Sequence, residues 1–134
     1  MRVDITIPKV ENIALAIVRE ENNLNEWEWN AYVINLKNQE IEGVLVTSKG
    51  YGKKEGEKVK TSVLRHFLDK IAANSFKKIE PIQEELFGLS NEYWLSFYHN
   101  SVLYDKKFVF LAESVQNNHL INVPVINKLG VMIK

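Results

Sequence analysis

Histidine is the side chain best suited to proton transfer and metal binding near neutral pH, and it occurs three times, as His66, His99 and His119. Zinc sites show compact ligand spacings. None of the three stands within four residues of another His, Asp or Glu except in the unremarkable pair His66 and Asp69. They read as structural or exposed histidines. The sequence contains no cysteine, which removes thiolate metal sites, iron–sulfur clusters, disulfides and cysteine nucleophiles together. No metal and no cofactor is expected. Nucleophilic serine chemistry finds no G-x-S-x-G elbow, and Ser48-Lys49 are neighbours that a strand would point to opposite faces. The paired carboxylates Glu20-Glu21 and Glu84-Glu85 lie beside polar turns. They are expected to be solvated, whereas acid–base work would need one of them buried with a raised pKa.

Phosphate binding is tested by the glycine-rich stretch from Gly50 to Lys58. Gly50 and Gly52 begin like a dinucleotide fingerprint, but Glu55 stands where the third glycine belongs and Gly56 comes one residue late. Neither glycine opens a Walker sequence. Gly50, Gly52, Lys53, Lys54 and Gly56 are therefore expected to form an exposed, mobile loop or hairpin tip. From Lys49 to Lys60 there are five lysines and two glutamates, while Met1 to Ser48 carries four basic and eight acidic residues. Such a split can orient a partner.

Aromatic residues give the strongest hint of a surface. Trp27 and Trp29 are two apart and so share one strand face, and Tyr98 and Tyr104 fall in a hairpin with Tyr93, Trp94 and Phe97. Trp27, Trp29, Tyr98 and Tyr104 are read either as core or as an exposed strip that binds a partner. Glu26 and Glu28 alternate with the tryptophans and disfavour a nucleic acid there.

The elements that would position these groups are mostly strands. Val3, Ile5 and Ile7 alternate with Arg2, Asp4 and Thr6 up to Pro8. Asn12 to Glu20 is apolar on both faces, as a central strand would be. Trp27 to Leu36 and Ile41 to Ser48 follow, joined by Asn38-Gln39-Glu40, a connection short enough for a hairpin. With the first strand these form an antiparallel meander. Ser62 to Ala73 fits either a strand or a helix, since Leu64, Phe67, Leu68 and Ile71 recur at helical spacing. Ser75 to Ile82 reads as an edge strand because of Pro81. Gln83 to Gly88 reads as one helical turn ending at the glycine. Strands at Glu92 to Tyr98, Val102 to Leu111, Leu120 to Ile126 and Leu129 to Ile133 complete the chain.

At 134 residues, with 46% hydrophobic and 25% charged residues, this is one globular domain able to bury a core unaided. An all-β fold is predicted, an immunoglobulin-like antiparallel β-sandwich. The alternative is an α+β fold with one helix over 62–73 covering an antiparallel sheet. Lys plus Arg and Asp plus Glu both number 17, so no basic excess marks a nucleic-acid or membrane coat. The longest apolar run, Ile13 to Val18, is too short to span a bilayer, and the start of the chain does not read as a secretory signal. A cytoplasmic protein is expected.

The segments Thr61-Ser62-Val63-Leu64-Arg65-His66, Asn74-Ser75-Phe76-Lys77-Lys78-Ile79-Glu80 and Gly130-Val131-Met132-Ile133-Lys134 resemble short uncharacterised bacterial proteins of about this length. Some of those carry the label phenylalanyl-tRNA synthetase α subunit. The resemblance implies a bacterial protein with a link to tRNA aminoacylation, and it assigns no role to any residue. The reading drawn from the residues is a binding or assembly module without chemistry of its own. The alternative is a small enzyme with a pocket built from Tyr, His and Glu on separate strands. A protein partner or a second copy is expected at the apolar C-terminal strand, where Leu129, Val131 and Ile133 face one side and Gly130 and Met132 the other.

Overall fold

A computed structural model describes residues 8–134, which leaves the alternating segment from Arg2 to Ile7 outside the described residues. Ten strands run in the order β1 (Ile13–Glu21), β2 (Trp27–Asn35), β3 (Ile41–Lys54), β4 (Glu57–Lys60), β5 (Leu64–Ile71), β6 (Ser75–Ile82), β7 (Ser90–His99), β8 (Val102–Phe110), β9 (Ile121–Val123) and β10 (Lys128–Ile133). One sheet has the order β6-β2-β1-β10-β9. The other has the order β4-β3-β7-β8, with β5 pairing β3 beside β4. The fold is an all-β sandwich, and 62–73 contributes the strand β5 in place of a helix. Among the described residues no helix is long and apolar enough to cross a membrane.

β1 sits in the middle of its sheet, as its two apolar faces require. Ile13, Leu15 and Ile17 enter the main core between the sheets with Val44, Val46, Leu95, Phe97 and Phe110. Ala14, Ala16 and Val18 enter a second, smaller cluster on the outer side of the same sheet with Tyr32, Ile34, Val123 and Ile126. The turn between β9 and β10 helps cover that side, carrying Val125 at φ 72° and Asn127 at φ 59°. A β-branched residue in the left-handed region is rare.

The meander does not form as expected. β2 gives one edge to β1 and the other to β6, so β3 has no ladder left to join and crosses to the opposite sheet. Asn35 fixes this departure: its amide donates to the Gln39, Ile71 and Ala72 carbonyls, and its Oδ1 accepts from the Lys37 N–H. The connection after β2 is thereby stitched to the β5–β6 turn. Pro81 lies on β6, an edge strand, where its missing N–H costs no ladder bond. The turn Glu84–Gly88 is a short 3₁₀ helix whose Phe87 closes one end of the core, edge-on to Trp29 at 5.1 Å between ring centroids.

Gly50, Gly52, Lys53 and Lys54 are part of β3, and Gly56 forms the tight turn into β4 at φ 82°. The lysine-rich stretch is thus a paired β-ribbon with its tip at Glu55-Gly56, because Tyr51 to Lys54 pair with Glu57 to Lys60. β10 lies inside its sheet: it pairs β1 from Gly130 to Ile133 and β9 from Lys128 to Gly130. Val131 and Ile133 pack against the main core, and Met132 packs against the outer cluster.

Candidate functional site

Two places gather side chains that a folded core does not require: the outer face of the β3–β7–β8 sheet and a cleft between the two sheets.

On the outer face, cross-strand register sets the neighbours. Residues opposite each other in an antiparallel ladder share a face. Phe67 therefore lies beside Leu45 and then Ser96 and Asp105, and Arg65 lies beside Thr47, Trp94 and Lys107. Tyr98 stands opposite Leu103. Phe67 is 68% exposed, Trp94 45%, Tyr98 45% and Leu103 49%. The opposite face of β7 sends Tyr93, Leu95 and Phe97 into the core. A β-bulge between Ile41 and Leu45 interrupts the ladder beside Tyr98. There Gly43, at φ 60°, lies under the Tyr98 ring, and any Cβ would come within 3.0 Å of that ring.

The same face continues onto the ribbon through Lys49, Tyr51 and Lys53, with Lys60 opposite Tyr51 and Lys58 opposite Lys53. Tyr51, Lys53, Lys58 and Lys60 line a shallow hollow of about 510 Å³. Glu92 anchors the centre, 3.5 Å from the Lys49 ammonium and 4.0 Å from that of Lys107, with the Tyr51 hydroxyl at 3.4 Å. Lys49, Lys53, Lys58, Lys60, Arg65 and Lys107 gather along the ribbon and around Trp94, whereas Asp105 and, beside Tyr98, Glu42 and Asp69 carry negative charge toward the other end. The ribbon end of the face is its positive end, although the chain as a whole is neutral.

Of the four aromatic residues proposed from the sequence as a binding strip, Trp27, Trp29, Tyr98 and Tyr104, Tyr98 alone belongs to this surface. Trp27 and Trp29 do share a face, but Trp29 is 6% exposed within the core while Trp27, 57% exposed, lies beyond the core's edge under the Arg19 guanidinium. Tyr104 is half-buried and stacks on Phe97 at 5.3 Å. Trp94 and Phe67 escaped notice as surface residues because β7 and β5 carry apolar residues at both parities.

The cleft lies at the side of the sandwich where the two edge strands β5 and β6 face each other from different sheets. Its volume is about 300 Å³, and Ser48, Leu64, Glu80, Ile82, Asn91 and Tyr93 are among its walls. His66 and Glu80 meet across the gap, with Nε2 and Oε1 3.6 Å apart, too far for a hydrogen bond. Both atoms are shielded from solvent and lack a hydrogen-bond partner among the described residues. Burial, with the Glu80 carboxylate nearby, pushes the Tyr93 phenol well above its ordinary pKa. Tyr93 therefore stays protonated and serves as a hydrogen-bonding group, not as a base. Asn91 spends its amide hydrogens on the Leu86 and Leu89 carbonyls. Glu80 and Tyr93 thus share the cleft, and His66 approaches Glu80 from β5 without lining the cleft.

One carboxylate expected in solvent is buried instead. Glu20 accepts hydrogen bonds from Asn30 Nδ2 at 2.6 Å, from Lys128 Nζ at 2.6 Å and from the Tyr32 hydroxyl. Burial alone would raise its pKa, but the hydrogen bonds from Lys128, Tyr32 and Asn30 outweigh burial and hold it below the ordinary value. This cluster ties β1, β2 and β10 together and keeps Glu20 ionised. Its role is structural, since a proton-transfer group would need the opposite shift. Among the described residues no group of three or more His, Asp or Glu side chains is placed to hold a metal ion. No protein-family model, curated protein or solved structure matches the chain.

Proposed function

We propose that this protein is a non-enzymatic binding or assembly module that docks an acidic protein segment on the outer face of its β3–β7–β8 sheet. The observation that carries the reading is the set Phe67, Trp94, Tyr98 and Leu103, four large apolar side chains laid bare on one solvent-facing surface. An antiparallel sheet with one face in water ordinarily alternates apolar-in with polar-out, and a contiguous exposed patch marks a contact site. At the Trp94 end, the ribbon lysines with Arg65 and Lys107 select for negative charge and speed encounter. Glu92 and Asp105 within the face, together with the aliphatic Leu103 and Leu45, favour a protein segment over a nucleic acid. The C-terminal strand has less to offer a partner or a second copy, since β9 covers it from Lys128 to Gly130.

The immunoglobulin-like assignment belongs to the same proposal. It is supported by β2 pairing β6 in one sheet while β3, β7 and β8 are adjacent in the other, the arrangement of strands B, E and C, F, G in that fold. β5 departs from the constant-type pattern by pairing β3, and β9 and β10 extend the first sheet. A bacterial cytoplasm remains the proposed setting, which the cysteine-free sequence suits.

Binding to an array of 15-residue peptides of graded charge tests the surface. Acidic peptides with aliphatic or aromatic anchors are expected to bind, and Trp94→Ala should weaken the best of them by about 2 kcal/mol, the scale of a central aromatic anchor. Phe67→Ser should weaken them as well. Peptide binding indifferent to both substitutions, or tighter binding of a single-stranded oligonucleotide, would overturn the reading.

A further inference from the structure

We infer that the cleft between β5 and β6 is a binding site for a small primary amine, one ammonium group on a short apolar chain. The walls divide by chemistry. Leu64 and Ile82 supply apolar surface, and Glu80, Ser48, Tyr93 and Asn91 supply oxygen atoms. The Glu80 carboxylate receives no hydrogen bond from any described residue, and the nearest nitrogen, His66 Nε2, stands 3.6 Å away, beyond hydrogen-bond reach. Asn91 has both amide hydrogens engaged, so its carbonyl oxygen is the atom left to accept a bond. The one lysine among the wall residues, Lys49, directs its ammonium to Glu92 on the outer face. The site therefore has a carboxylate and a surplus of acceptors, and no lysine or arginine ammonium or guanidinium reaches it from its walls. An ammonium has three donors and no acceptor, which is the complement of that set.

The chemistry also explains why the carboxylate stays in place. A buried carboxylate without a partner is costly, and Glu80 is held there by β6, whose neighbouring residues Ile79 and Ile82 are anchored in the core. A volume of about 300 Å³ is at the small end of the range for ligand pockets, which limits the occupant to a few heavy atoms beyond the ammonium. The site is independent of the outer aromatic face, because its walls point between the sheets.

The test is a titration of the ¹⁵N-labelled full chain with n-butylamine at constant pH and ionic strength, with N-butylacetamide and n-butanol as uncharged counterparts. Saturable shifts are expected at Ser48, Leu64, Glu80 and Tyr93, with millimolar affinity. The uncharged compounds should bind at least tenfold more weakly. Glu80→Gln, which keeps the shape and removes the charge, should weaken butylamine at least tenfold, and Tyr93→Phe should weaken it less. Glu40→Gln, an exposed carboxylate elsewhere, should leave the affinity unchanged. If Glu80→Gln fails to fold, Tyr93→Phe and the uncharged compounds still decide the matter. Equal shifts with butylamine and butanol, shifts scattered over surface carboxylates, or no saturation would each overturn the site.

Discussion

Gly130→Ala is expected to destabilise the protein by about 3 kcal/mol, the upper end for a forced overlap in a packed interior. Gly130 sits in β10 between β1 and β9, paired with Val18 on one side and Ile121 on the other. A Cβ there would strike the Ile17 carbonyl oxygen and come within 3.0 Å of Val18 Cα and 3.1 Å of Val123 Cγ2. Two of these atoms are backbone, so no rotamer change relieves the clash, and β1 and β10 must separate. Gly56→Ala makes the internal comparison. Gly56 has φ 82° but nothing near its missing Cβ, so only backbone strain opposes the change, at a cost of about 1 kcal/mol. Urea unfolding of both variants measures the difference. A Gly130→Ala variant no less stable than Gly56→Ala would refute the packing of β10 inside its sheet.

Glu20→Ala is expected to cost about 2–3 kcal/mol, because it strips a charged acceptor from Asn30, Tyr32 and Lys128 at once. Lys128 is half exposed and can return to water, which keeps the loss below that of a fully buried ion pair. Acid should reveal the same interaction. The folded-state pKa of Glu20 lies below its ordinary value of 4.5, so the unfolded chain binds the proton more readily. Its contribution is complete above that ordinary value and disappears as pH falls through the folded-state pKa. The stability gap between the native protein and Glu20→Gln should therefore be constant near neutrality and narrow below about pH 4.5. A gap that widens on acidification would mean that Glu20 is not held ionised by these partners.

What the sequence discloses and what it hides divide along physical lines. The double apolar parity of β1 announces a central strand, and Pro81 announces an edge. In both cases the local residues alone carry the constraint. The separation of β2 from β3 is hidden because Asn38-Gln39-Glu40 suits a hairpin, and only the capture of β2's second edge by β6 prevents one. Trp27 and Trp29 are correctly placed on one face, but the point where the core ends between them depends on Phe87 and the 3₁₀ turn. The outer aromatic face is hidden for a related reason: Tyr93, Leu95 and Phe97 compete with Trp94 and Tyr98 for the interior, and the choice is made by cross-strand register. His66 and Glu80 meet although they lie in different sheets, a contact that no spacing rule contains. Glu20 looked solvated beside its turn because Tyr32 and Lys128 reach it only after three strands have assembled.

Because β1 is sealed on one side by the main core and on the other by the Ala14, Ala16 and Val18 cluster, its amides should open to solvent only when the whole molecule does. The strands β4 and β5 have the opposite character, with one ladder partner each and mostly exposed side chains. Amide hydrogen exchange should therefore separate β1 from these strands, slowest at Ala14 to Val18 and fastest among the strands at Glu57 to Lys60 and Leu64 to Lys70. The β5 wall of the cleft, which carries Leu64, would then loosen many times for each global unfolding event. A guest could enter and leave by a brief detachment of β5, while Glu80 stays in place on β6 through its ladder to β2 and the buried Ile79 and Ile82.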